Sequence, residues 1–112
     1  MVEAPHTVKS YEEELKNLNS NIIKMGGFCE EALGKAIQAI TTRNSDNAEA
    51  VIKDDEKIDK FETIIEQQVV NLIALRQPMA IDLRETVTAL KISSDLERIG
   101  DLAKNISKRT LL

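Results

Sequence analysis

Apolar side chains recur along this chain in alternating steps of three and four, the spacing of helices that each bury one face. The first such line runs through Val8, Tyr11, Leu15, Leu18, Ile22, Met25, Cys29, Ala32, Ala36 and Ala39. A second takes in Val51, Asp55, Ile58, Glu62, Ile65, Val69 and Leu72, and two of its places are acidic. A third joins Ala80, Leu83, Val87, Leu90, Ser94, Glu97, Asp101 and Lys104, with Leu96, Ile99, Ala103 and Ile106 beside it. This last face is apolar in its first half and polar in its second.

Turn-forming residues separate the lines. Thr41-Thr42-Arg43-Asn44-Ser45-Asp46 ends the first helix near Arg43 and offers Asp46, with Glu49, as a cap for the second. Arg76-Gln77-Pro78 closes the second helix, because Pro78 lacks an amide proton and disfavours helical geometry at Gln77. Ser10 with Glu13 offers a capping box for the first helix, whereas a line reaching back to Val8 favours a start nearer Pro5. The expectation is a flexible tail over residues 1–6, with His6 disordered in it, and one domain over residues 7–112. Its helices are expected at about 7–43, 46–75 and 79–111. Connections this short make neighbouring helices antiparallel, which predicts an all-α, up-down-up three-helix bundle. Helices of roughly 30 residues would each span about 45 Å, giving a long rod. Met25-Gly26-Gly27-Phe28 interrupts good helix formers, and each glycine costs roughly 1 kcal/mol relative to Ala, so a kink or a close helix contact is expected there.

Composition narrows the classes. A chain of 112 residues makes one domain, and 3% aromatics, no Trp, four Gly and two Pro suit helices rather than a sandwich or barrel. Fifteen basic against nineteen acidic side chains give a net charge of -4, which offers nucleic acid phosphates no overall attraction. No stretch approaches the roughly 20 uncharged apolar residues of a membrane span. Met1-Val2-Glu3-Ala4-Pro5 has neither the basic region nor the apolar run of a signal peptide, so a cytoplasmic protein is expected. Cys29 is the only cysteine, which excludes an intrachain disulfide or a multi-cysteine metal cluster and fits a reducing compartment.

The candidate chemistry lies in two acidic pairs. Asp55 and Asp59 stand four apart, as do Glu97 and Asp101, so each pair shares a helical face. Like charges at that spacing repel by a few tenths of a kcal/mol, and Asp55, Glu97 and Asp101 fall on lines that elsewhere are apolar. Antiparallel pairing about Pro78 would bring the pairs to similar heights, where four carboxylates can converge. An all-oxygen site suits Mg²⁺ or Mn²⁺ and can hold iron, whereas structural zinc prefers Cys or His. Taken singly, each pair reads as a solvated helix face, as Glu62 with Glu66 does, and only the two pairs together, equidistant from the hairpin on apolar lines, weigh evenly between that and a shared site. Cys29 and Met25 continue apolar seams and read as core, and Met79 as core or turn packing. Gly100 admits two readings, a weak point in the helix or room for close approach of another backbone or a metal-bound ligand. Lys104, Lys108 and Arg109 read as solvated or as complementing the helix dipole.

With both acidic motifs in place, the chain resembles the PhoU family. The resemblance is carried by Glu13-Glu14-Leu15-Lys16, Met25-Gly26-Gly27, Asp55-Glu56-Lys57-Ile58-Asp59, Leu75-Arg76-Gln77-Pro78, Asp82-Leu83-Arg84 and Leu90-Lys91-Ile92. Its most specific part is the run Leu96-Glu97-Arg98-Ile99-Gly100-Asp101-Leu102-Ala103-Lys104-Asn105-Ile106. The resemblance implies repeated three-helix domains and a cytoplasmic negative regulator of phosphate uptake and of the phosphate-starvation response. Such a regulator is an adaptor between the phosphate ABC transporter ATPase and a sensor histidine kinase, not an enzyme, and is expected as a dimer that is at most peripheral to the membrane. It also implies metal binding by Asp55, Asp59, Glu97 and Asp101, as multinuclear iron or zinc clusters. Family proteins usually carry two such domains in tandem, while this chain stops at Thr110-Leu111-Leu112, so we expect a truncated form matching the amino-terminal half. An orphaned face would then drive self-association in place of the other half.

Two other functions compete. A di-metal carboxylate oxidase would need Glu-x-x-His motifs on its helices, and the only histidine is His6. A helical interaction module with solvated acids and no metal needs nothing further. No nucleophile paired with a base and no glycine-rich phosphate loop is visible.

Overall fold

In a computed structural model, residues 3–112 are described, with side chains described from Ser10 onward. They form three helices, α1 (Glu3–Thr42), α2 (Ser45–Arg76) and α3 (Ile81–Thr110). Glu14 meets Arg76 and Asn21 meets Gln68, so α1 and α2 run antiparallel. Tyr11 donates to the Asp82 carbonyl and Cys29 to that of Leu96, so α1 and α3 run parallel. The bundle is therefore up-down-up, a rod of 63 × 18 × 16 Å. Its length is set by α1, whose 40 residues at about 1.5 Å each exceed the expected span.

The seams of α1 and α2 are the ones their spacing predicts. Leu18, Met25, Cys29, Ala36 and Ala39 of α1 are buried against Val51, Ile58, Ile65, Val69 and Leu72 of α2. Each large aliphatic side chain buried this way is worth about 1.5–3 kcal/mol. The third seam is turned by one residue from the expected line. Its buried positions are Thr86, Ala89, Ser93, Gly100, Ala103 and Ser107, while Leu90, Leu96 and Ile99 pack at its flanks. The reason is steric, since the α3 backbone passes so close to Asp55 and Ile58 at Gly100 that only small residues fit along its centre. Thr86 and Ser93 are buried without cost to their hydroxyls, which donate to the carbonyls of Asp82 and Leu90 on their own helix.

The element boundaries differ from expectation for local reasons. The first helix begins at Glu3, so residues 3–6 of the expected tail are helical backbone. Pro5 is tolerated there because first-turn amides have no helical partner. Met1, Val2 and the side chain of His6 lie outside the described residues. The cap of α2 is Asn44 rather than Asp46: Asn44 is extended at φ -93, ψ 98, and its side chain accepts from the Asn47 amide. Arg43 is left-handed (φ 58), which lets the Asn44 amide reach back to the Ala39 carbonyl and end α1. Gln77 does the same for α2, its amide reaching the Ile73 carbonyl at 3.0 Å. Ala80 at φ 54, ψ -119 delays α3 to Ile81.

Gly26 and Gly27 give no close helix contact, because α1 passes through them unbroken and an added Cβ meets nothing within 4 Å. They lie toward the outer side of α1, where Ile23 is 74% and Ile37 49% exposed. Gly100 is the opposite case. A Cβ there would meet Ile58 Cδ1 at 3.1 Å and Asp55 Oδ1 at 3.2 Å, tighter than ordinary packing. Gly26→Ala and Gly27→Ala should therefore each stabilise the protein by up to about 1 kcal/mol. Gly100→Val should cost about 1–3 kcal/mol by overpacking. Chemical denaturation of the three variants checks both signs.

Candidate metal site

The close approach at Gly100 brings the two acidic motifs together. Asp55 and Asp59 lie one turn apart on α2, and Asp101 follows Gly100 on α3. One carboxylate oxygen from each of the three lies within 4.8 Å of the others. Asp55 sits inside the bundle at 4% exposure, Asp59 is exposed and Asp101 stands at the solvent edge. Glu97, the fourth expected ligand, is outside this compact group. It stands one helical turn before Asp101, within range of the charges of Glu62 and Asp59.

Asp55 is the unusual member. Burying a charged carboxylate costs several kcal/mol unless it is paired and hydrogen-bonded. Its Oδ2 lies 3.6 Å from Lys104 Nζ, while its Oδ1 is buried with no hydrogen-bond partner. Burial raises the Asp55 carboxyl above the usual range, the charges of Asp59 and Asp101 add to this, and Lys104 opposes it. Glu97 is pushed up to about 7, chiefly by burial, then by a hydrogen bond that its protonated form donates to Asp101 and by the charges of Asp101, Glu62 and Asp59. Glu62 is raised by burial and by Glu66, Asp59 and Asp101.

The donor set fits a hard cation. Every converging atom is a carboxylate oxygen, and the bare Oδ1 of Asp55 lacks a positive partner. Cys29 lies close enough to feel the charges of Asp55 and Glu97, yet burial pushes its thiol up to about 11. It stays protonated and donates to the Leu96 carbonyl at 3.1 Å, as a core residue does.

Two participants escape the spacing argument. Lys104 reads from sequence as a solvated base, but the structure pairs it with Asp55. Its signal is its place on the line of Glu97 and Asp101, three residues further on. Glu62, which in sequence makes an ordinary pair with Glu66, lies beside the cluster because it occupies the second seam. Lys108 and Arg109 are exposed, as expected.

Comparison with known proteins gives a consistent result. A family model described as the PhoU domain matches residues 22–110. The chain is 52% identical over 107 residues to the phosphate-specific transport system accessory protein PhoU homolog of Caulobacter vibrioides, covering 96% of this chain and 46% of that one. The homolog of the same description in Zymomonas mobilis is 42% identical, with 96% and 45% covered. The crystal structure of PhoU from Pseudomonas aeruginosa superposes with a TM-score of 0.87 at 35% identity, over 89% of this chain and 48% of that one. The chain thus spans about half the length of the curated relatives it matches.

The raised carboxyls set a pH dependence in metal-free protein. A carboxyl with a folded-state pKa above its unfolded value stabilises the fold below the unfolded pKa, and that stability is lost as pH rises through the folded pKa. For Glu97 the window runs from its ordinary 4.5 up to about 7. Thermal unfolding in chelator should therefore show a higher Tm near pH 5 than near pH 8. Glu97→Gln should flatten that slope.

Proposed function

This chain belongs to the PhoU family, and on that premise we propose that it is a metal-binding negative regulator of phosphate uptake and of the phosphate-starvation response. It acts as an adaptor between the phosphate ABC transporter ATPase and a sensor histidine kinase, in the cytoplasm and at most peripheral to the membrane. Its relatives are accessory proteins of a phosphate-specific transport system, which supports the first half of this reading. No helix of the described residues is long and apolar enough to cross a membrane. The cluster offers converging oxygen donors, which suit a bound ion.

The observation that carries metal binding is the convergence of Asp55, Asp59 and Asp101 together with a buried Asp55 carboxylate whose Oδ1 has no hydrogen-bond partner. A cation would be held first by these three, with Glu97 and Glu62 able to extend the site to a second ion. Such a metal supplies positive charge where three acids meet and ties α2 to α3. The oxygen donors favour Mg²⁺, Mn²⁺ or iron over zinc. We further propose that the chain self-associates as a dimer, through exposed apolar side chains such as Ile23, Ile37 and Leu102.

Protein purified without chelators or an affinity tag should carry metal by elemental analysis, and Asp55→Ala/Asp59→Ala and Glu97→Ala/Asp101→Ala variants should both lose it. Metal retained in both variants, or none in the parent, rejects the site and leaves a helical adaptor. Sedimentation of the full chain should give twice the monomer mass, shifting to the monomer in Ile23→Lys/Ile37→Lys. A monomeric parent would refute the dimer.

A further inference from the structure

We propose that Lys104 is a built-in counter-ion that holds Asp55 when no cation is bound and competes with a bound cation for the charge of that carboxylate, so that it sets the affinity of the site. This rests on the metal-binding reading above.

The geometry is asymmetric. Lys104 reaches across from α3 to place Nζ 3.6 Å from Asp55 Oδ2, and its side chain is 33% exposed while that of Asp55 is 4% exposed. Asp55 is held in place, with Ile58 and Gly100 packed beside it. Lys104 has a flexible four-carbon stem and a head near solvent, so it is the partner that can leave. A hard cation on Asp55 would sit roughly 2–2.6 Å from the carboxylate oxygen. The ammonium would then face a multivalent cation across one carboxylate, and like charges at that range repel strongly where water is scarce. The remaining charged groups that act on Asp55 are Asp59 on α2 and Asp101 on α3, both acidic, and the α1 residue nearby, Cys29, is a neutral thiol. Lys104 is thus the cation that already neutralises Asp55, through Oδ2, while the bare Oδ1 is the oxygen left for a metal.

A lysine that merely supports the fold predicts the opposite sign, since its loss would loosen the site and weaken binding. Mn²⁺ binding to the full chain, measured at fixed pH by competition with a chromogenic chelator, separates the two. Lys104→Met should bind Mn²⁺ on the order of tenfold more tightly than the parent, and should melt at a lower temperature in chelator. Lys104→Arg, which keeps the charge, should resemble the parent in both measurements, and Lys104→Gln provides a second neutral variant if the first does not fold. Neutral variants that bind Mn²⁺ as the parent does, or more weakly, overturn the inference while leaving the metal site standing. No Mn²⁺ binding by parent or variants overturns both.

Discussion

The close passage of α2 and α3 at Gly100 is the constraint on which the rest of this bundle depends. With no side chain at that position, Ile58 and Asp55 fit directly against the α3 backbone, at separations that a Cβ would already strain. That approach turns α3 so that its buried line passes through Gly100, Ala103 and Ser107 rather than through Glu97, Asp101 and Lys104. The polar residues are thereby carried to the margin of the α2–α3 interface. There they remain partly solvated yet close enough to Asp55 to act on it.

A buried carboxylate in such a place is held by charge as much as by packing. Asp55 occupies a seam position that its neighbours Val51 and Ile58 fill with apolar groups, and it has one cation at hand and several anions. Repulsion among Asp59, Asp101, Glu97 and Glu62 works against the same interface that Ile58, Ile65 and Leu72 stabilise. The hydrophobic seam can bear this because each large apolar side chain it buries is worth more than a screened surface repulsion. Donors mounted on two packed helices keep their relative positions, which is what a preorganised ion site requires.

The third helix of the packing, α1, supplies most of the length and shields the other two from water. Its inner face is apolar from Leu18 to Ala39, and its amino-terminal part is tied by Tyr11 to α3 and by Glu14 to Arg76 of α2. The turns on either side of α2 use left-handed Arg43 and Gln77 in place of glycine, a conformation costing roughly 1–2 kcal/mol per residue. Both turns recover hydrogen bonds to the last carbonyls of the preceding helix.

Much of this was legible in the order of residues alone. Three helices, their antiparallel succession, the seams of α1 and α2, and the acid pairs on single helical faces all follow from periods of three and four and from Pro78, since these are properties of one helix at a time. The PhoU resemblance was also carried by local motifs. What the sequence could not supply was rotation and reach. Spacing places the α3 seam on the line of Leu83, Val87 and Leu90, because large apolar residues ordinarily mark a buried face. In the bundle the smaller residues Thr86, Ala89, Ser93, Gly100 and Ala103 face inward instead, one position away, because the close approach to Asp55 and Ile58 at Gly100 leaves no room for a larger side chain there. The same rotation put Asp101 rather than Glu97 into the compact cluster and drew Lys104 onto Asp55. Local periodicity fixes which residues share a face, but only packing against the other two helices decides which face is inward and which charges meet there.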